Sequence, residues 1–226
     1  MCGRYALHTP ASFLARRYFD HHMPVGDQVA RYNITPGTQI LSIRLGEGGK
    51  PLFDLAYWGF RPRWAKDKAP TPINARIESL KSPYFRESFS HQRCVIPASG
   101  WYEWVKTSEG KQPYYITCPD LDRYEALLFA GIYTPTGSGT TVRAAIITEP
   151  AADPIKHIHD RQPALIDPQS LESWLDPGLT DIGQLRGQVG RIDPGRLEWW
   201  RVSTRVNRAD APNDSSLIEP LESEET

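Results

Sequence analysis

The residue whose chemistry is most readily inferred from position is Cys2, in Met1-Cys2-Gly3-Arg4. Cysteine is small enough for a preceding initiator methionine to be cleaved, which leaves a residue bearing an amine and a thiol on adjacent carbons. Such an α-amine has an unperturbed pKa of about 7.7–8.0, against about 10.4 for lysine, so roughly a tenth of it is neutral at pH 7. The neutral amine attacks an aldehyde to give a Schiff base, and the neighbouring thiol then closes on the imine carbon as a five-membered thiazolidine. A cysteine at position 2 also arises by chance, and the tetrapeptide alone does not separate the two readings.

Other positions supply what that chemistry would need. Asn74 and Arg76, in Pro72-Ile73-Asn74-Ala75-Arg76, are spaced i and i+2 and point the same way if the stretch is extended. Asparagine has donors and an acceptor to orient an amine, and arginine offers a planar fork for phosphate. The competing role for Asn74 is to cap a following helix. Gly100-Trp101-Tyr102-Glu103-Trp104 sets Glu103 and Trp101 on one face of a strand, Tyr102 and Trp104 on the other. A carboxyl packed among aromatics has a raised pKa and exchanges protons near neutrality; its bland role is an ion pair within a sheet. The segment from Asp153 to Pro163 holds His157 and His159. No further Cys or His stands at a familiar zinc spacing, so a metal is not expected, and a histidine there suits proton transfer better. His157 reads as a surface residue. Trp58-Gly59-Phe60-Arg61-Pro62-Arg63-Trp64 interleaves aromatics with bases; Trp58 and Phe60 read as core, leaving Arg61, Arg63 and Trp64 to stack on unpaired bases and neutralise phosphates.

The elements that must position these residues are mainly strands. Runs of β-formers recur at 40–45, 52–58, 93–96, 101–106, 113–117, 126–132 and 142–148, with Glu109-Gly110 as a hairpin turn. Thr9-Pro10 opens a short amphipathic helix to about Phe19, and further helices are expected near 76–81, 150–156, 168–175 and 180–188. The pattern predicts an α+β fold with a mostly antiparallel, barrel-like sheet core and short peripheral helices. Residues 1–208 read as one domain, and 209–226, with six acids and no base, as a disordered tail.

Composition constrains the class. The 226 residues include seven Trp, ten Tyr and seven Phe, enough for a substantial core. Cys2, Cys94 and Cys118 form no CxxC, which argues for reduced thiols and a cytoplasmic location. No apolar run approaches the roughly 18 residues of a membrane span, and no secretory leader is seen. The formal net charge of −1 is split: residues 1–118 carry 16 bases against 9 acids, and residues 119–226 carry 10 against 18. That asymmetry fits a polyanion-binding face; ordinary scatter with an acidic tail is the competing reading.

Taken in order, the motifs resemble the SOS-response-associated peptidase (SRAP) family, which shields abasic sites. They are Met-Cys-Gly-Arg-Tyr, Arg-Tyr-Asn-Ile-Thr-Pro-Gly (31–37), Trp-Gly-Phe (58–60), Ile-Asn-Ala-Arg-Ile-Glu (73–78), Gly-Trp-Tyr-Glu-Trp (100–104), Ile-His-Asp-Arg-Gln-Pro (158–163) and Val-Asn (206–207). The resemblance implies that Cys2 is a crosslinking nucleophile, that Asn74 positions its amine, and that Glu103 is an acid/base beside the reacting sugar. His159 matches a histidine that assists ring opening and imine formation. Arg4 and Arg76 match phosphate-contacting arginines and Trp64 an aromatic wedge; Asn33 and Arg161 fall in the same motifs and are taken as DNA contacts. Some members carry a second aromatic after this Trp, where Ala65 stands here, which implies weaker stacking or stacking supplied from elsewhere. The implied partner is single-stranded DNA with an abasic site, including junctions with duplex. Neither a cofactor nor a membrane is expected; a monomer is expected, acting at the bacterial nucleoid. A minor Schiff-base lyase activity and a peptidase action limited to Met1 are further implications. The alternatives are an N-terminal-nucleophile amidotransferase, whose Asn-Gly and Arg-Gly-Pro-Asp segments this chain lacks, and a non-covalent DNA-binding module.

Overall fold

A computed structural model describes residues 2–19, 26–122, 124–137 and 141–222. Met1, on whose removal the chemistry of Cys2 depends, and the last four residues of the acidic end lie outside them. The strands are β1 (Tyr5–Leu7), β2 (Arg31–Ile34), β3 (Gln39–Leu45), β4 (Pro51–Trp58), β5 (Asn74–Arg76), β6 (Arg93–Ala98), β7 (Gly100–Thr107), β8 (Gly110–Thr117), β9 (Leu127–Pro135), β10 (Val142–Pro150), β11 (Arg161–Pro163), β12 (Leu165–Ile166) and β13 (Glu198–Arg201). The helices are α1 (Ala11–Phe19), α2 (Arg86–His91), α3 (Leu171–Leu175) and α4 (Ile182–Gln188).

One sheet runs β13-β8-β7-β1-β2; the other runs β11-β10-β4-β3-β6-β9-β12. Because β10 also pairs with β9, the strands β10, β4, β3, β6 and β9 close into a ring. Pairing is antiparallel except where β10 meets β4 and β5. The fold is therefore α+β with a barrel-like core, as the strand-dominated pattern predicts. Each expected run of β-formers lies within or overlaps a strand. The β7–β8 hairpin pairs Thr107 with Gly110, so Ser108-Glu109 forms the turn itself.

The core is aromatic where the two sheets meet. Tyr5 packs edge-on to Trp58 and Phe129, with ring centroids 5.4 and 6.0 Å apart, and Trp101 meets Phe129 at 6.0 Å. All four are fully buried, and edge-to-face pairs of this kind add about 0.5–1.5 kcal/mol each beyond the area they bury. Buried Arg93 donates to the carbonyls of Phe89 and Ser90 in α2 and of Trp174 in α3, at 2.7–2.9 Å. A cation is thus placed against the negative ends of two short helices.

Three expectations differ. The helix near 76–81 is only a 3-10 turn, Ile77–Ser79, after the extended Asn74–Arg76. Asn74 is therefore in a strand and caps nothing. The helix near 150–156 is likewise a single 3-10 turn, Asp153–Ile155, and β10 runs on to Pro150, where that helix was expected to begin. The acidic segment read as a disordered tail packs against the body as far as it is described. Leu217 is fully buried with Ala6, Tyr102, Tyr115, Val202 and Val206. Asn213 bonds the backbone of the β2 edge from both ends, accepting from Tyr32 N at 2.7 Å and donating to Ala30 O at 2.8 Å. Its acid content masked this apolar anchor and strand-like cap.

Candidate active site and nucleic-acid interface

The site is organised by β10, which is shared between strands along its whole length. Its first half lies between β9 and β4; its second half lies between β5, paired Ile146 to Asn74 and Thr148 to Arg76, and β11, paired Pro150 to Arg161. Two short segments that cannot fold alone are thereby fixed on opposite edges of one strand. β7 enters from the other sheet and alternates as expected: Trp101 and Glu103 face the main core, while Tyr102 and Trp104 face the smaller apolar cluster. Gly100 begins that strand because a Cβ there would lie 2.4 Å from the Tyr115 ring and 2.6 Å from Ile116 O.

Cys2 is fully buried, and its carbonyl accepts from Asn74 Nδ2 at 2.9 Å. That bond fixes the amide orientation and leaves Asn74 Oδ1 buried, with no hydrogen-bond partner among the described residues. Burial pushes the Cys2 thiol well above its usual range, and the charge of nearby Glu103 adds to the rise. Glu103 is 2% exposed, and burial raises its carboxyl to about 7. His159 Nε2 stands 3.8 Å from Glu103 Oε2. Its Nδ1 has two neighbours requiring opposite ring states: Arg161 N donates to it at 2.9 Å, whereas Asp160 Oδ1 at 2.9 Å would need a proton on it. Burial lowers the imidazole pKa, so the neutral ring with its proton on Nε2, toward Glu103, is favoured. Cys2, Asn74, Glu103 and His159 thus form one cluster, in which a protonatable acid and a neutral imidazole border a thiol. His157 lies apart, exposed and edge-on to Trp199 at 5.4 Å.

The cationic and aromatic residues divide into two sets. Trp64 is 65% exposed, its ring edge-on to Tyr84 at 5.8 Å, and buried Phe60 backs Tyr84 and Phe85. Arg63 and Arg76 are exposed, as are Lys66 and Lys68. These side chains are available to a strand of nucleic acid. Arg61 instead braces its own loop, donating to Asp67 O at 2.8 Å and pairing with the Asp67 carboxylate at 3.2 Å. Arg4 donates to Asn33 Oδ1 and Val206 O, both at 2.7 Å, and lies over Trp104, while Asn33 Nδ2 donates to Arg208 O. Trp104 Nε1 in turn donates to Asn207 Oδ1 at 2.6 Å. Arg4 and Asn33 therefore tie the N-terminal segment to residues 206–208, which gives the distant Val206-Asn207 motif a structural purpose. Arg161 makes a two-pronged ion pair with Glu78 at 2.7 and 3.0 Å. Glu78 had no signal of its own in the sequence beyond its place in the 73–78 motif. A separate apolar cavity of about 120 Å³, lined by Ile77, Leu80, Phe89, Ile147, Ile166 and Trp174 among others, includes none of the cluster.

Fold and site together define a barrel-like α+β protein that buries a thiol beside an acid–imidazole pair, with an exposed aromatic and basic surface on the same molecule. Residues 1–209 match the family model for SOS response associated peptidase (SRAP), and the chain belongs to that family. It is 32% identical over 228 residues to the abasic site processing protein YoqW of Bacillus subtilis, covering 97% of this chain and 99% of that one. It is 31% identical over 232 residues to the abasic site processing protein YedK of Escherichia coli, covering 98% and 100%. The abasic site processing protein HMCES of Gallus gallus is 32% identical over 191 residues, 71% of this chain and 56% of the relative. Among solved structures, a Bacteroides thetaiotaomicron protein superposes with a TM-score of 0.79 at 21% identity, covering 97% of this chain and all of that one. A phage-related protein of Bordetella bronchiseptica superposes with a TM-score of 0.73 at 26% identity, covering 94% and 100%.

Proposed function

We propose that this protein recognises abasic sites in single-stranded DNA and bonds covalently to them through Cys2 once Met1 is removed. The observation that carries this reading is the Asn74 amide. Its nitrogen holds the Cys2 carbonyl and its buried oxygen offers an acceptor at the start of the chain, beside Glu103 and His159. An amine freed there is held by that acceptor with its lone pair directed outward.

An abasic deoxyribose is mostly a closed hemiacetal. Protonated Glu103 suits donation to the ring oxygen as the ring C–O bond breaks, while the anomeric hydroxyl gives its proton to water and becomes the aldehyde; the His159 Nε2–H is placed to hydrogen-bond the departing oxygen. The Cys2 nitrogen adds to the aldehyde carbon, the oxygen leaves as water and an imine forms. The thiol sulfur then adds to the imine carbon, its proton passes to nitrogen, and the ring of N, Cα, Cβ, S and the sugar carbon closes. The buried thiol is held protonated, so the amine is the first nucleophile and sulfur follows. Ring closure removes the imine, whose persistence favours β-elimination of the strand; lyase activity is then a minor branch. The family's peptidase label corresponds at most to release of Met1.

Trp64 supplies a stacking surface, and Arg63, Arg76, Lys66 and Lys68 supply phosphate contacts. The hydrogen bonds of Arg4 and Asn33 to residues 206–208 and to each other, and the ion pair of Arg161, favour structural roles over the DNA contacts assigned to them from the motifs.

The test uses protein whose loss of Met1 is established by intact mass. Incubation with an abasic oligonucleotide should give a denaturation-resistant adduct. A tetrahydrofuran analogue lacking the aldehyde, the Cys2→Ala variant and protein retaining Met1 should give none. An adduct that persists in Cys2→Ala refutes the assignment.

A further inference from the structure

The exposed indole of Trp64 stands on the loop between β4 and β5, whose two legs are closed at the buried end. Phe60 N donates to Pro72 O and Trp58 Nε1 donates to Ile73 O, both at 2.9 Å, immediately before Asn74. Further out, Ala65 N donates to Pro62 O at 3.0 Å and Ala69 N to Lys66 O at 2.9 Å. These bonds fix the loop backbone, and none of them reaches the Trp64 side chain. The indole rests on Tyr84, with ring planes 81° apart. Tyr84 comes from outside the loop, in the segment between the Ile77–Ser79 turn and α2. Its ring packs edge-on to Phe60 at 6.1 Å and to Phe85 at 5.3 Å, and its hydroxyl donates to Pro70 O. One side chain therefore touches Trp64 on the outgoing leg, Pro70 on the returning leg and buried Phe60 at the base.

We propose that Tyr84 is a positioning residue for DNA binding: it holds the Trp64 ring in one orientation with a face open, so that a nucleobase stacks on a ring already in place. This inference rests on the stacking role proposed for Trp64 and is independent of the covalent step at Cys2.

A near-perpendicular contact uses either the edge of the indole or one of its faces, so at least one face stays open to a base. An exposed side chain that turns freely loses that freedom when a ligand immobilises it, and the loss weakens binding by about two- to tenfold. A ring held beforehand by Tyr84 avoids most of that loss. Stacking tolerates any base, because every base has a π-face. Exposed Arg63, Lys66 and Lys68 on the same loop supply positive charge for the backbone of the stacked strand. The Tyr84 hydroxyl has one proton, which is committed to Pro70 O, so the residue acts on DNA through its ring and not as a phosphate donor.

The test uses a single-stranded oligonucleotide carrying the tetrahydrofuran analogue with 2-aminopurine beside it, whose fluorescence is quenched by stacking. Tyr84→Leu should weaken binding about two- to tenfold and reduce the quenching at saturation. Tyr84→Phe, which keeps the ring, should retain most of the affinity. In a Trp64→Ala background, Tyr84→Leu should cost no further affinity. On an abasic oligonucleotide, the loss in Tyr84→Leu should appear in the DNA concentration giving half-maximal rate and not in the single-turnover rate constant at saturation. In the absence of DNA, NMR relaxation of the Trp64 indole N–H, assigned by its loss in Trp64→Ala, should show greater motion in Tyr84→Leu; a purely structural role would lower Tm without changing quenching or motion. Wild-type affinity and quenching in Tyr84→Leu overturn the inference, as does an equal loss in the Trp64→Ala background or a loss in Tyr84→Phe as large as in Tyr84→Leu. If wild type binds the analogue and forms no adduct with abasic DNA, the covalent function fails while these affinities still decide the role of Tyr84. If wild type does not bind the analogue, both fail.

Discussion

Glu103 is held away from water, and that placement carries a thermodynamic consequence. Unfolded, its carboxyl ionises near 4.5; folded, it keeps its proton until about pH 7. Between those values the folded protein binds the extra proton, so stability falls as pH rises and the loss is complete above about 7. The shift corresponds to up to about 3 kcal/mol. Glu103→Gln removes the penalty: urea denaturation at pH 8 should find the variant more stable than wild type, with the gap closing toward pH 5. The same variant should form adduct about 10²-fold more slowly. Wild type should show a bell-shaped pH–rate profile, falling on the alkaline side as Glu103 loses its proton and on the acid side as the amine gains one. The alkaline limb should vanish in Glu103→Gln. Equal urea midpoints at pH 8 would remove the buried carboxyl from this account.

Strands set the precision with which those groups meet. β10 holds β5 on one edge and β11 on the other, so Asn74 and the His159 turn are referenced to one backbone. β7 brings Glu103 from the second sheet, and its register depends on Gly100 lying directly against Tyr115. The Tyr115 ring also packs on Tyr102 and Trp200, at 5.1 and 5.6 Å, and has little room to yield. Gly100→Ala should therefore cost about 1–3 kcal/mol by overpacking. Adduct formation should fall with it, because displacement of β7 displaces Glu103. Thermal unfolding and single-turnover rates check the two effects together; full stability with full activity would show that β7 tolerates the methyl group.

The molecule is closed by its C-terminal segment. Residues 206–208 hold Arg4, Asn33 and Trp104, and the chain beyond them returns to cover Tyr102 and Val206 with Leu217, while Trp200 Nε1 donates to Ile218 O at 2.7 Å. Leu217→Ala should cost about 2–5 kcal/mol, which lowers Tm by about 5–15 °C for a protein of this size. An unchanged Tm would mean that the segment lies on the surface without stabilising it. The charge split along the chain has a related spatial outcome. Exposed Arg63, Lys66, Lys68 and Arg76 all come from the net-positive first half, whereas Arg17 and Arg161 are paired with Glu125 and Glu78.

Residue chemistry and strand alternation were legible without coordinates, because both are local. The reactivity of a 1,2-aminothiol, the inward face shared by Trp101 and Glu103, the presence of a hairpin turn next to Gly110 and the burial of Trp58 and Phe60 follow from types and spacing, although the turn itself falls one residue earlier than Glu109-Gly110. Partner choice was not legible, because it depends on registers between distant strands. Asn74 meets the Cys2 carbonyl across 72 residues, and Arg4 meets Val206 O across 202. His157 is exposed as its sequence suggests, whereas tertiary structure alone set His159 beside Glu103, gave Arg161 a carboxylate, and made an acidic tail part of the core. In each case a hydrogen-bond partner or apolar neighbour far away in sequence outweighed the local composition.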